Sequence, residues 1–132
     1  MNPTILIIDD FASVRLYHTS FLKRKGYHCL GAVDGEEALA KLRENHVDLI
    51  LLDLVMPGMN GDSFMARLAA DARLDALPVL VITSELELAQ ALFGGGSRPV
   101  SVLAKPVMPD ALLQSVQQLL ARSGVAAPGP ES

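Results

Sequence analysis

Three apolar runs in this chain each end on charged side chains of the kinds that bind metal and phosphate. Ile5 to Ile8 closes on Asp9 and Asp10, Val47 to Leu52, broken only by Asp48, closes on Asp53, and Val100 to Ala104 closes on Lys105. Short apolar runs bounded by turn formers have the pattern of buried strands, so these charges belong at strand carboxyl ends, where Asp53 is expected to face solvent. Carboxylates gathered in one place repel, and without a cation one of them has its pKa raised. A hard divalent ion relieves this. Mg2+ takes oxygen ligands in octahedral geometry, usually one or two protein carboxylates with waters and phosphate oxygens, and Asp9, Asp10 and Asp53 offer that chemistry. An aspartate beside such an ion is a feasible nucleophile toward phosphorus. Asp53 suits that role, because it stands alone beside the turn-rich segment Met56-Pro57-Gly58-Met59-Asn60-Gly61, whereas the adjacent Asp9 and Asp10 suit metal holding. A phosphoryl product needs cationic and hydroxyl partners, and Lys105 and Thr83, each at its own strand's end, are the candidates.

Singly, each residue also has an ordinary reading. Asp9-Asp10 fits a strand-to-helix turn with an acid at a helix dipole, Thr83 a polar strand end, and Lys105 a solvated lysine before a turn. Their coincidence argues for a site, since chance must otherwise place all of them at one sheet edge.

The rest of the chain has to build that edge. Short apolar runs alternate with segments of helical period, the pattern of a parallel sheet covered by helices on both faces. The strands fall at about 4–8, 27–33, 47–52, 78–82 and 100–104. Ser13 is placed to cap a first helix whose inward stripe reads Val14, Tyr17 and Phe21, and Gly26 stops it. Asp34-Gly35 turns the chain into a second helix lined by Ala38, Leu39 and Leu42 and running to about Asn45; Phe64, Met65 and Leu68 line a third. Pro78 opens the fourth strand and Thr83 ends it. Glu85 to Phe93 favours helix until Gly94-Gly95-Gly96 cuts it off, and Ser97-Arg98-Pro99 crosses to the last strand without regular structure. The last helix begins near Pro109-Asp110 with the stripe Leu112, Leu113, Val116, Leu119 and Leu120. The expectation is an α/β fold, a doubly wound five-stranded parallel sheet with five helices, forming one domain over 1–122 with a disordered tail over 123–132. Ligands of such sheets sit in the crevice at the strands' carboxyl ends.

Composition narrows the partners. A net charge of −4 with no basic cluster beyond Lys23-Arg24-Lys25, which reads as a helix's last turn, argues against a nucleic-acid surface. The single Cys29 cannot form an internal disulfide, and three scattered histidines give no metal-ligand spacing. No apolar run approaches the ~18 residues of a membrane span and no cationic amino terminus leads one, so a cytoplasmic protein without a membrane partner is expected. The turn Asp9-Asp10-Phe11 lacks the glycines of a phosphate loop, and the triple glycine precedes a strand, so no nucleotide or flavin is expected.

The motifs together resemble the receiver domain of two-component response regulators, close to the stand-alone chemotaxis type. The likeness covers about residues 4–121 and rests on four pieces in order: Ile7-Ile8-Asp9-Asp10-Phe11-Ala12-Ser13, Leu52-Asp53-Leu54-Val55-Met56-Pro57-Gly58-Met59-Asn60-Gly61, Val81-Ile82-Thr83-Ser84, and Ala104-Lys105-Pro106. The resemblance implies a flavodoxin-like strand order 2-1-3-4-5. It implies that Asp53 accepts a phosphoryl group from a histidine kinase or phosphotransfer protein, with Mg2+ held by Asp10, Asp53 and the Val55 backbone carbonyl and with Asp9 assisting through water. It further implies that Thr83 swings to bind the phosphoryl group, that Lys105 pairs with it, and that the Lys105–Pro106 peptide is cis. Such a chain is not an enzyme with a separate substrate; it catalyses only its own phosphorylation and dephosphorylation, uses no small molecule beyond phosphodonors, and passes its signal to an output protein in trans.

Two departures qualify the resemblance. Where receivers usually carry an aromatic switch residue, three positions before the lysine, this chain has Val102, so the switch through Thr83 and Val102 has no ring to move. The usual Ala-Gly-Ala stretch is replaced by Gly94-Gly95-Gly96-Ser97-Arg98-Pro99, which predicts an unusual, mobile fourth helix and following loop. Val55 and Glu85, two positions beyond Asp53 and Thr83, predict moderate to slow self-dephosphorylation, because Val55 does not activate water and Glu85 repels an anionic approach. Two rivals remain: a pseudo-receiver kept only for protein contacts, and a haloacid-dehalogenase-type phosphohydrolase, whose second acid would stand where Val55 does.

Overall fold

The computed structural model describes residues 2–53, 61–93 and 98–128. The elements alternate strictly: β1 (Thr4–Ile8), α1 (Ala12–Arg24), β2 (His28–Ala32), α2 (Gly35–Glu44), β3 (Leu49–Asp53), α3 (Gly61–Ala69), β4 (Val79–Thr83), α4 (Leu86–Phe93), β5 (Val100–Ala104) and α5 (Pro109–Arg122), with one 3-10 turn, Ala72–Leu74, before β4. All strand pairings are parallel and the order is β2-β1-β3-β4-β5, the doubly wound sheet expected.

The period of two along each strand sorts its side chains onto two faces. Leu6, Ile8, Ile50, Leu52, Val79 and Val81 pack beneath α2, α3 and α4, against Leu39, Leu42, Phe64, Leu68 and Ala89. Ile5, Ile7, Leu49, Leu51, Leu80 and Ile82 point the other way, against Leu22 of α1 and Leu112, Val116, Leu119 and Leu120 of α5. Strands buried on both faces need unbroken apolar runs, which is why β1, β3 and β4 read so clearly. At the edge, β5 is only partly buried; Val102 packs toward the α2–α4 side and Leu103 toward α5.

Local chemistry fixes the ends. Asp34 caps α2 by accepting the Glu37 N–H at 2.9 Å, and Gly26 takes a φ of 97° that ends α1. Asp71 starts the 3-10 turn by accepting the Arg73 N–H at 3.0 Å. Arg98 donates to the carbonyls of Leu74 and Leu77, tying the approach to β5 onto the segment before β4. Beyond α5, the Val125 N–H bonds to the Leu120 carbonyl at 2.9 Å and its side chain packs on the core, although the sequence places a tail from 123 on.

The first helix differs from the expectation. Its cap is Phe11, with no side-chain hydrogen bond; Ser13 lies inside the helix and exposed. The buried residues are His18 and Leu22, whereas Val14 is 39% and Tyr17 52% exposed and Phe21 is only partly covered. Helical spacing gives a stripe its period but not its phase, and two stripes a turn-fraction apart compete here. The helix instead sets Arg15 against Gly31 of β2, His18 into the crevice at the strand ends and Leu22 into the core on the α5 side of the sheet. Met56–Asn60, Val55, the Gly94–Ser97 run and residues 129–132 lie outside the described residues, so the loop expectations there have no structural counterpart.

Phe64 is completely buried between α3 and the sheet. Phe64→Ala is expected to cost about 3–5 kcal/mol in urea unfolding, while Leu16→Ala, on an exposed face, stays within about 0.5 kcal/mol of the parent.

Candidate functional site

Backbone pairing sets the site before any side chain does. The Asp9 amide bonds to the Ala32 carbonyl at 3.0 Å, the Lys105 amide to the Thr83 carbonyl at 2.8 Å, and Asp53 is in register with Ile82, so the carboxyl edges of all five strands are laced together. The chain then leaves each strand at the same edge, which puts Asp9, Asp53 and Lys105 within one crevice and Thr83 at the same sheet edge.

Asp53 does not face solvent. It is 7% exposed, and its Oδ2 receives a 2.8 Å hydrogen bond from the Lys105 ammonium, which is itself 39% exposed. The correction has a plain cause: β3 is the central strand, and the crevice over its end is walled by α1 on one side and the Lys105–Val107 segment on the other. A buried carboxylate at that depth requires a partner, and the lysine provides it. The Lys105–Pro106 peptide is cis.

Asp9 is buried, with Oδ1 accepting the Phe11 N–H at 2.9 Å. Burial pushes its pKa above the usual carboxylate range; the Phe11 bond opposes the shift, the charges of Asp53 and Asp10 add to it, and Lys105 offsets part. Arg15 donates to the Asp9 carbonyl oxygen at 2.6 Å, and its chain reaches there across Gly31, where a Cβ would stand 3.2 Å from the Arg15 Cδ. Asp10 is half-buried, and its Oδ1 is sealed from solvent with no hydrogen-bond partner. Thr83 is buried; its Oγ1 accepts the Glu85 N–H at 2.9 Å, which orients the hydroxyl and leaves its proton available to donate. Val102 sits two residues before the end of β5, on the face toward α4.

Among the described residues no three His, Cys, Asp or Glu side chains form a ready-made metal cage. The residues nonetheless fit Mg2+, which asks for only one or two carboxylates and keeps its waters. The observation that says so is the Asp10 Oδ1: a sealed carboxylate oxygen with no donor is costly unless a cation meets it.

Sequence reasoning missed His18. It is 7% exposed, lines the crevice with Asp9, Asp53 and Lys105, and meets Tyr17 edge-on with ring centroids 5.5 Å apart. Burial holds its pKa below the usual imidazole value; Asp53 opposes that shift and Lys105 adds to it. The available signal was its position four residues before Leu22, on the phase that the helix buries.

Residues 5–117 match the family described as the response regulator receiver domain. The chain belongs to that family. Protein PilH of Pseudomonas aeruginosa is 32% identical over 117 residues, covering 89% of this chain and 97% of PilH. Other curated relatives are longer: the chain spans about half of the DNA-binding response regulator MtrA of Mycobacterium tuberculosis, at 33% identity and 53% of its length. Among solved structures, the chemotaxis response regulator CheY4 of Vibrio cholerae superposes with a TM-score of 0.78 at 29% identity, covering 90% of this chain and 99% of that one. This receiver thus matches stand-alone regulators along nearly their whole length.

The raised pKa of Asp9 sets a pH signature for the metal-free receiver. A carboxyl whose folded pKa lies above its unfolded one stabilises the fold below the unfolded value, and that contribution is lost as pH rises through the folded value. At neutral pH the ionised Asp9 is therefore a liability. Asp9→Asn, which still accepts the Phe11 N–H, is expected to melt above the parent at pH 7 in EDTA, the gain shrinking to nothing as pH falls below about 4, the unfolded carboxylate range; scanning calorimetry over pH checks this.

Proposed function

We propose that this receiver is a phosphoacceptor: Asp53 takes a phosphoryl group from the phosphohistidine of a histidine kinase or phosphotransfer protein, and the modified surface engages an output protein in trans. The observation that carries this reading is the 2.8 Å pairing of the buried Asp53 with Lys105, at one sheet edge with Asp9 and the unpartnered Asp10 Oδ1. An inert scaffold has no reason to gather three acids and a lysine there.

The chemistry follows from the residues. An Asp53 carboxylate oxygen attacks phosphorus, the P–N bond of the donor breaks, and its electron pair leaves with the imidazole, which then takes a proton from water. Asp53 is held by its pairing with Ile82 of β4, so attack needs little reorganisation. Lys105 is already beside it and pairs with the incoming phosphoryl oxygen, and the Thr83 hydroxyl donates to a second oxygen. Mg2+, held by Asp10, Asp53 and the Val55 backbone carbonyl with Asp9 acting through water, would neutralise the charge of the transferring group. With no ring at Val102, the switch works through Thr83 and the packing between β5 and α4. The product is a phosphoprotein and not a released substrate, so the chain acts as a stoichiometric acceptor. Among the described residues no helix is long and apolar enough to cross a membrane, which suits a cytoplasmic role.

Acetyl phosphate with Mg2+ is expected to add one phosphoryl group per chain by mass spectrometry, with no addition in EDTA or in Asp53→Asn; absence of modification in the parent would favour the pseudo-receiver. Sustained turnover of p-nitrophenyl phosphate would instead favour a phosphohydrolase. Thr83→Ala removes one hydrogen bond to a charged group, about 1.5–3 kcal/mol, and is expected to slow modification tenfold or more. Because Val55 does not activate water and Glu85 is acidic, trapped phosphoprotein should persist well beyond seconds; decay within seconds contradicts that role for the two positions.

A further inference from the structure

The chain is acidic overall, with a net charge of −4, yet one recess on its surface is ringed by cations. Between α2, α3 and the 3-10 turn lies a depression of about 140 Å3 whose rim carries Arg43, Arg67 and Arg73, one from each element, and whose floor is Leu39, Leu42 and Leu74. Asp71 is the one acid among the described residues that line it, and Arg73 engages it fully: Oδ1 accepts from the Arg73 Nε at 3.2 Å and Oδ2 from a terminal guanidinium nitrogen at 2.8 Å. Among the described residues neither Arg43 nor Arg67 has an ion pair or a hydrogen-bond partner. Two guanidiniums thus line one recess with no free counter-charge between them.

A cation in a helix's last turn is favoured by the helix dipole, and Arg43 and Arg67 both stand in such turns. The dipole does not ask them to converge on one recess beside a third arginine, where like charges repel and an anion relieves the repulsion. Size and floor narrow the anion. The volume equals roughly five waters of about 30 Å3 each, room for one side chain and not for a nucleotide or a sugar. A bare inorganic anion gains nothing from a leucine floor, whereas an aliphatic side chain gains by burial on it, and the planar fork of arginine matches a carboxylate in two places. We propose that this recess docks an acidic segment of a partner protein, with a leucine-sized side chain seated on Leu39, Leu42 and Leu74 and flanking carboxylates paired to Arg43 and Arg67. The recess is formed in advance, because the Asp71–Arg73 pair braces the 3-10 turn and Arg98 holds the carbonyls of Leu74 and Leu77, the latter at 2.8 Å, so little ordering accompanies binding. Since α2 ends just before β3 and the 3-10 turn just before β4, the recess flanks the strands' amino ends. Asp53 ends its strand at the opposite edge, so an occupant leaves the path of a phosphodonor open.

The test is titration of the full, unphosphorylated chain with the capped peptide acetyl-Asp-Glu-Leu-Glu-Asp-amide, followed by 15N NMR. Saturable shifts confined to Leu39–Arg43, Arg67 and Asp71–Leu74 are expected, with Kd about millimolar for so short a probe and weakening as salt is added. The uncharged analogue acetyl-Asn-Gln-Leu-Gln-Asn-amide should bind at least tenfold more weakly, and replacing the peptide's leucine by alanine should weaken it severalfold. The double variant Arg43→Gln with Arg67→Gln, both exposed positions, should keep the parent's melting temperature and lose at least tenfold in affinity, whereas Lys23→Gln, away from the recess, should change nothing. Non-saturating or scattered shifts, equal binding of the uncharged peptide, indifference to the peptide's leucine, or an undiminished double variant overturn the proposal. So does inorganic phosphate or a short single-stranded oligonucleotide that binds these residues more tightly than the peptide. Because the titration uses neither phosphodonor nor Mg2+, its failure leaves the phosphoacceptor reading untouched, and failure of acetyl phosphate to modify Asp53 leaves the recess untouched.

Discussion

A buried carboxylate at the end of the central strand is the constraint around which this molecule is organised. Asp53 sits where the sheet is deepest, and the Lys105 ammonium, brought from the edge strand two places away, helps to make its charge tolerable. That contact ties β3 to β5 across β4, where the register of three strands meets the chemistry of the site. The accumulated negative charge of Asp9, Asp10 and Asp53 is the other side of the same constraint. Burial, with that charge adding to it, leaves Asp9 hard to ionise, and Asp10 keeps an oxygen unmet, so the fold holds a deficit of positive charge that an ion can fill.

The sheet was legible because its central strands are covered on both sides. Unbroken runs such as Ile5–Ile8 and Leu49–Leu52 have no other use in a chain of this size, and each closes on a polar residue at the same edge. The candidate residues could be read for the same reason, since a charge terminating a buried run is conspicuous. Depth was not legible: nothing in the run before Asp53 says that α1 and the Lys105–Val107 segment will close over it, because that depends on contacts between residues far apart in sequence.

The first helix shows the limit of pattern reading. Val14, Tyr17 and Phe21 have the right spacing for a core stripe, yet the helix turns His18 and Leu22 inward. A polar residue type concealed the true phase. The outcome is an apolar wall left open beside the acid cluster, and that wall gives the crevice its size. What reads as a failed expectation about packing is therefore the source of the site's shape.

Gly31 carries a further consequence. Its bare α-carbon, in register with Ile7, lets the Arg15 stem lie against β2 closely enough for the guanidinium to reach the Asp9 carbonyl. Helix and sheet are thus buttoned together by an absent methyl group. Any larger residue there must push the arginine aside and loosen the strand terminus that presents Asp9, so positions 15 and 31 form one unit whose substitutions are not additive.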